Sequence, residues 1–103
     1  MGIRLRVSPQ TLCVLDALLE HPGQWRHGYS LSRQTSIPSG TLYPILMRLE
    51  KLHWLETRWE EPGNLGRPAR HQYRLNGNGC AWATQELRAA RARKFWKPVY
   101  SEV

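Results

Sequence analysis

The chain has 103 residues, with 15 Lys or Arg against 8 Asp or Glu and a formal net charge of +7 at pH 7. Such a length gives one domain with a modest core and excludes a second, so any larger architecture requires self-association. Basic residues cluster between Arg67 and Lys97, where eight of them accompany a single acid, Glu86. We therefore expect a polyanionic partner, against the alternative of an incidentally basic, solvated surface.

The cysteine usage and the N-terminus bear on the compartment. The 2 cysteines, Cys13 and Cys80, are too far apart in sequence to indicate a disulfide framework. Because the N-terminus also lacks an apolar h-region, we expect a cytoplasmic protein that is not exported. No stretch approaches the roughly 20 apolar residues of a membrane span, so we expect no membrane insertion.

The first predicted helix begins after Ser8, a suitable N-cap, because Pro9 fits the first helical position. Leucines then recur at helical spacing until Pro22 interrupts the pattern. A second, shorter helix is predicted over residues 28–35, and residues 36–38 form the turn after it.

The third helix has the clearest periodicity. Its apolar stripe, about 120° wide, consists of Leu42, Ile45, Leu46, Leu49 and Leu52. The opposite face carries Tyr43, Pro44, Met47, Arg48 and Lys51. Pro44 lies near the helix start, where Gly40 leaves room for its ring, so we expect a slight kink rather than a break.

Two strands are predicted after the third helix. Residues 54–60 alternate in polarity, residues 61–70 are rich in turn formers, and residues 71–75 alternate again, which together predict a β-hairpin of the kind called a wing. The predicted fold class is therefore mainly α with a small β-hairpin. A winged helix-turn-helix domain spans residues 1–76, and a C-terminal dimerisation helix and tail span residues 77–103.

The final helix is predicted from about Gly79 to Lys97, capped by Asn76 or Asn78. A stripe of mostly small residues on one side faces away from two tryptophans on the other. Two apolar faces are more than so small a domain can cover, so we expect this helix to pair with a second copy of the chain. The predicted dimerisation residues are Trp82, Ala83, Leu87, Ala90 and Trp96.

The exposed face of the third helix suits the major groove of double-stranded DNA, as the second helix of a helix-turn-helix. Hydroxyls and free backbone N–H groups at its N-terminus favour a phosphate, because the helix dipole is positive there. The hairpin tip presents arginines to a minor groove or its phosphates. An ordinary polar helix face and a flexible solvated loop are the alternatives. The candidate DNA-binding residues are Tyr29, Ser39, Gly40, Thr41, Tyr43, Pro44, Arg48, Lys51, Arg67 and Arg70.

Several motifs carry a resemblance to a known family. SGTLYPILMRLE at residues 39–50, then WL at 54–55, GRP at 66–68 and YRL at 73–75 resemble the PadR family, where SGTLYPILxRLE, GWLE, GRP and YxLT recur in this order. The resemblance implies a dimeric bacterial repressor whose TLYP helix and wing contact a pseudo-palindromic operator. Some relatives respond to aromatic ligands at the dimer interface, so Trp82 or Trp96 are candidates to line a pocket for a small aromatic effector, with simple packing as the alternative.

The chain departs from the family pattern at four places. His53 stands where the family usually has glycine, directly after the third helix, so we predict a left-handed histidine that costs about 1 kcal/mol. Ser36 replaces a common glycine in the turn, and Ala69 stands where an additional arginine is frequent. Asn76 replaces a threonine and caps as well as Thr would.

Other functions share parts of this pattern. No nucleophile motif, phosphate loop or metal-binding spacing accompanies the 4 histidines, so we expect no enzyme, no metal and no cofactor. A winged helix used for protein contact and an architectural or excisionase-like factor of a mobile element would both have the same fold. The architectural factor would bind DNA as asymmetric arrays of monomers. A further alternative places residues 79–97 as a basic amphipathic helix on an anionic membrane.

Overall fold

The computed structural model describes residues 7–60 and 69–93 of the chain. Within these ranges, four helices and three strands follow in the order α1 (Pro9–Glu20), β1 (Arg26–His27), α2 (Gly28–Thr35), α3 (Ser39–Lys51), β2 (Leu55–Glu60), β3 (Arg70–Leu75) and α4 (Gly77–Ala92). The fold is mainly α with a small antiparallel sheet, which confirms the predicted winged helix-turn-helix class.

The start of α1 is the one that its sequence predicts. The Ser8 hydroxyl oxygen accepts a hydrogen bond from the N–H of Thr11 at 3.1 Å, and Pro9 occupies the first turn. This cap satisfies a donor that the helix itself leaves unpaired, a contribution of about 1 kcal/mol. The side of α1 that enters the core carries Leu12, Leu15 and Leu18.

The turn between α2 and α3 is fixed by side-chain hydrogen bonds. The Thr35 hydroxyl donates to the carbonyl of Leu31 at 2.6 Å and accepts from the N–H of Ile37 at 3.3 Å. The Ser32 hydroxyl donates to the carbonyl of Ile37 at 2.6 Å. Ser36 between them is left-handed, with φ of 60°, which explains why glycine also suits this position. The two helices of the helix-turn-helix are therefore held at a defined angle.

The sheet has the strand order β1-β3-β2, and all pairs are antiparallel. The predicted hairpin is confirmed, with Leu55 opposite Leu75 and Thr57 opposite Tyr73. Strand β1 was missed because two residues are too few to show an alternating pattern. Leu55, Tyr73 and Leu75 are buried in the same core as the helices, so the base of the hairpin is part of the domain.

The end of α3 is a complete Schellman motif. After the C-cap Leu52, the N–H of His53 donates to the carbonyl of Glu50 at 3.0 Å, and the N–H of Trp54 donates to that of Leu49 at 3.2 Å. His53 has φ of 62°, which confirms the predicted left-handed histidine. The hydrogen bond from the Trp54 N–H to the Leu49 carbonyl also places Trp54 in the turn, so β2 begins one residue later than predicted.

Asn76 joins this turn to α4, and we call the contacts that Asn76 and Trp54 make between the end of α3 and the start of α4 the α3–α4 joint. The Asn76 side chain accepts from the N–H of Gly79 at 2.7 Å and donates to the carbonyl of His53 at 2.7 Å. The Asn76 backbone N–H donates to the carbonyl of Trp54 at 3.1 Å. The rings of Trp54 and Trp82 stack with centroids 3.7 Å apart. Asn76 is thus both the predicted helix cap and a bridge between the two helices.

The small-residue stripe of α4 is used inside the subunit, which corrects one part of the predicted dimer interface. Ala83, Leu87 and Ala90 are at most 2% exposed and pack with α1 in the hydrophobic core. Side chains that their own chain covers this completely have no surface left for a partner. Trp82 is half buried against Trp54. The sequence predicts two uncovered apolar faces on α4. In the structure α1 covers one of them, and Trp54 covers part of the other.

The bounds of α4 also differ from the prediction of residues 79–97. The helix begins directly after Asn76 and ends at Ala92, because Arg93 adopts an extended backbone with ψ of 109°. The predicted dimerisation residue Trp96 lies outside the described residues. No helix in the described part of the chain is long and apolar enough to cross a membrane.

We predict that Gly79→Ala lowers the free energy of unfolding by about 2 kcal/mol or more. A Cβ at Gly79 would overlap the carbonyl oxygen of Trp54, and backbone cannot move aside as a flexible side chain does. Gly77→Ala is the matched control, because it adds the same methyl group to the same helix turn where nothing lies within 4 Å. Urea denaturation followed by circular dichroism measures both; equal stability of the two variants contradicts the close approach.

We predict that His53→Gly raises the free energy of unfolding by about 1 kcal/mol, because glycine adopts positive φ without strain. In the hydrogen bonds of the turn His53 takes part with backbone atoms only, so the bonds are retained in the variant. His21→Gly is the control, since His21 ends α1 with φ of −137° and should gain nothing. Thermal denaturation of the unchanged protein and both variants measures the melting temperatures. A lower melting temperature for His53→Gly than for the unchanged protein contradicts the prediction.

Candidate nucleic-acid interface

Helix α3 separates an apolar side from a polar one. Its buried residues are Leu42, Ile45, Leu46 and Leu49, as predicted, whereas Leu52 is the half-buried C-cap. The helix continues through Pro44. The predicted DNA-facing residues of α3 lie away from the core: Ser39, Gly40, Tyr43, Pro44, Arg48 and Lys51 are exposed, and Thr41 is half buried. This polar side presents two cations to solvent.

The N-terminus of α3 carries backbone donors without a side-chain cap. Pro38 is the N-cap residue, and proline has no side-chain acceptor. The N–H groups of Thr41 and Leu42 both donate to the Pro38 carbonyl at 2.9 Å. The free backbone N–H groups predicted at this N-terminus therefore do not include that of Thr41, which is a correction. The donors of Ser39 and Gly40 remain at the positive end of the helix dipole.

Two tyrosines connect α2 to this surface. A Cβ at Gly28 would overlap the hydroxyl and ring of Tyr43, so the absence of a side chain at Gly28 lets the Tyr43 ring lie against α2. Tyr29 follows at the start of α2 and is 69% exposed. Arg33, one turn later, donates to the Tyr29 hydroxyl at 3.3 Å, with its guanidinium carbon 5.8 Å from the ring centroid.

A cleft of about 840 Å³ lies between α3 and the hairpin. Its lining combines the edge of α3, the start of α2 and one face of the sheet: His27, Gly28, Tyr29, Tyr43, Met47, Glu50, Trp59, Ala69, Arg70, His71 and Tyr73. Trp59 is 65% exposed and Met47 is 58% exposed. The cleft is therefore open, largely aromatic and continuous with the exposed side of α3; we call it the aromatic cleft.

A row of rings fixes the sheet side of the aromatic cleft. Trp59 stacks on His71, with centroids 4.5 Å apart and planes 8° apart, and the Tyr73 hydroxyl lies 3.1 Å from Nδ1 of His71. Burial, with smaller contributions from Tyr43 and Glu50, raises the pKa of Tyr73 to about 12. Tyr73 therefore keeps its proton throughout the physiological pH range.

The opposite face of the sheet has a separate cluster around Trp25. The guanidinium groups of Arg58 and Arg74 lie 4.4 and 4.3 Å from its ring centroid. Arg58 also donates to Gln72 at 2.7 Å, and Arg74 donates to Glu56 at 3.2 Å. These two cations hold the linker before β1 onto the sheet, which is a structural use of basic residues.

The hairpin tip is described only in part. Arg70 is exposed at the start of β3, while Arg67 and the rest of the predicted tip fall in residues 61–68, outside the described residues. In the described part of the chain, no group of three His, Cys, Asp or Glu residues is placed to hold a metal ion.

The sequence alone does not identify Trp59 and Met47 as lining residues of the aromatic cleft. The sequence pattern puts Met47 on the polar side of α3 and Trp59 within the first predicted strand, but it assigns neither residue a role. The available signal was an exposed apolar residue on each of two adjoining elements. Placing them in one cleft required the packing of α3 against the sheet, which is a non-local property.

Comparisons with known proteins identify the family. The profile described as "Transcriptional regulator PadR-like family" matches residues 14–85. No curated protein matches the chain. Its structural neighbours include transcription regulators of the PadR family.

Three solved structures illustrate the likeness. A PadR family transcription regulator from Clostridium difficile R20291 has a TM-score of 0.70 and 18% identity, over 84% of this chain and 92% of the other. The protein smu.1704 from Streptococcus mutans UA159 has a TM-score of 0.66 and 28% identity, over 89% and 87%. A PadR family transcriptional regulator from Eggerthella lenta DSM 2243 has a TM-score of 0.60 and 25% identity, over 84% and 74%.

The first of these likenesses concerns the fold alone, because its identity is low. The family profile adds the sequence evidence: residues 14–85 make up more than half of the chain and include α2, α3 and both strands of the hairpin. The chain therefore belongs to the PadR-like family of transcriptional regulators.

Proposed function

We propose that the chain is a sequence-specific regulator that binds double-stranded DNA as a homodimer and represses transcription at a pseudo-palindromic operator. The observation that carries the proposal is the polar side of α3, which exposes Arg48 and Lys51 opposite the buried residues Leu42, Ile45, Leu46 and Leu49. In winged helix-turn-helix proteins the corresponding helix enters the major groove. Membership of a family of transcriptional regulators supports the same reading.

Each part of the surface has a separate task in this proposal. The uncapped N–H groups of Ser39 and Gly40 receive a phosphate, and Tyr29 and Tyr43 add hydroxyls beside it. Arg48 and Lys51 reach base edges, because guanidinium and ammonium groups match the acceptors of guanine in the major groove. Arg70, together with Arg67, contacts the phosphates next to a minor groove.

The dimer places two α3 helices about 34 Å apart, one turn of the duplex. Because Ala83, Leu87 and Ala90 are occupied within the subunit, the proposed contact uses the Trp82 side of α4 together with Trp96. An aromatic effector at Trp82 would have to compete with the ring of Trp54, which already stacks there. If effector binding displaced Trp54, the end of α3 would move with it, because the Trp54 N–H is hydrogen-bonded to the Leu49 carbonyl there.

Footprinting on the DNA upstream of the protein's own gene tests the proposal, since small repressors often control themselves. We expect protection of two half-sites one helical turn apart, and a dimer mass in analytical ultracentrifugation at the same concentration. Protection by unevenly spaced monomers would instead indicate the architectural factor. A monomer that leaves DNA unprotected even in dilute buffer contradicts the proposal.

We predict that two arginine variants lose DNA-binding affinity in different ways. Arg48→Ala weakens binding to the footprinted site by about tenfold or more and leaves binding to random DNA nearly unchanged, because it removes a base contact. Arg70→Ala weakens binding to both and reduces the slope of log K against log salt by about 1, because it removes a phosphate contact.

Arg88→Ala is the matched control for both, since Arg88 is exposed on α4 and carries the same charge. Fluorescence anisotropy with labelled duplexes at several salt concentrations measures all four proteins. Equal losses on specific and random DNA for Arg48→Ala would exclude a base-reading role for that residue.

A further inference from the structure

We propose that the aromatic cleft seats the sugar–phosphate strand between the two contacted grooves, with the Trp59 ring packed against a deoxyribose. This inference rests on the proposed DNA-binding function. It assigns a role to an apolar surface that the cationic contacts leave unexplained.

The position of the cleft is the first argument. One wall is α3, proposed for the major groove, and the other is the hairpin whose tip is proposed for the adjacent minor groove. Neighbouring grooves of a duplex are separated by one sugar–phosphate strand. A protein that places α3 and the hairpin in neighbouring grooves must therefore meet that strand with the surface between them.

The state of the Trp59 ring is the second argument. The ring is 65% exposed, so the fold gains little from burying it, yet it is held flat on His71. An aromatic side chain fixed in an exposed position offers contact area at a low cost in conformational entropy. This arrangement is typical of binding surfaces.

The chemistry of the lining is the third argument. Arg70 and the hydroxyls of Tyr29 and Tyr43 supply donors for phosphate oxygens, while Trp59 and Met47 supply apolar surface. Glu50, which accepts from the Thr57 hydroxyl at 2.9 Å, adds a negative charge to the α3 wall of the cleft. A phosphate is disfavoured beside that carboxylate, so the uncharged sugar is the group that fits over the aromatic floor.

An uncharged sugar contact has a distinctive signature. It contributes equally on every sequence, because the deoxyribose carries no base identity. It also leaves the salt dependence unchanged, because no counterion is released when it forms. The combination distinguishes Trp59 from Arg48, which is proposed to read bases and so acts on specific sequences. It also distinguishes Trp59 from Arg70, which is proposed to contact phosphate and so acts on every sequence but changes the salt dependence.

The test uses the full chain and a random-sequence duplex of about 24 base pairs, titrated between about 50 and 200 mM salt. We expect Trp59→Ala to weaken binding by about tenfold, with the salt slope of the unchanged protein, and Trp59→Phe to retain most of the affinity. Gln10→Ala, at an exposed position of α1 away from the cleft, is the control and should bind normally.

Thermal denaturation and ultracentrifugation of each variant accompany the titrations. Unchanged affinity of folded Trp59→Ala overturns the inference while the proposed function stands. A salt slope reduced by about 1 overturns it too, because Trp59 then only positions a cation. A change of oligomeric mass means that a second copy covers the cleft, which also contradicts it. Failure of the unchanged protein to bind any DNA overturns the proposed function itself.

Discussion

The α3–α4 joint is the constraint on which the rest of the structure depends. Helix α3 is held before its N-terminus by the hydrogen bonds of the α2–α3 turn and along its length by buried apolar side chains, whose packing is strong but has little directional preference. The carboxamide of Asn76 adds direction, because it caps α4 and at the same time holds the carbonyl of His53 in the turn that ends α3. Gly79 allows this approach, since any side chain there would meet the Trp54 carbonyl. The α3–α4 joint therefore fixes the C-terminal end of α3, as the α2–α3 turn fixes the other, and neither contact uses the N–H groups of Ser39 and Gly40.

Among the basic residues that the structure describes, two groups have different physical roles. Arg58 and Arg74 enclose Trp25 and make further hydrogen bonds within the sheet, so their charges act on the fold. Arg48, Lys51 and Arg70 are exposed on or beside α3 and the hairpin. Net charge by itself does not distinguish these groups, because it reports solubility and long-range attraction rather than sites. The contacts distinguish them, and they restrict the proposed DNA surface to one side of the molecule.

Sequence reasoning succeeded where the signal was local. The Ser8-Pro9 start of α1, the apolar stripe of α3, the left-handed His53 and the Asn76 cap each depend on a few neighbouring residues, and all four are confirmed. It failed where the answer depended on packing between distant segments. Strand β1 exists only because β3 pairs with it, and the stripe of Ala83, Leu87 and Ala90 is covered by α1 rather than by a partner. The aromatic cleft likewise needs the sheet and α3 to be brought together.

The central claim is that DNA meets the N-terminal and exposed parts of α3 together with the start of β3, on a domain that the α3–α4 joint keeps rigid. Amide chemical shifts of ¹⁵N-labelled protein, recorded with and without a duplex that carries the footprinted site, test this most directly. The account predicts the largest changes at Tyr29, at Ser39 and Gly40, along the exposed side of α3 and at Arg70, with the amides of α1 nearly unchanged. Changes concentrated in α1 and the outer face of α4, with α3 unaffected, would contradict it.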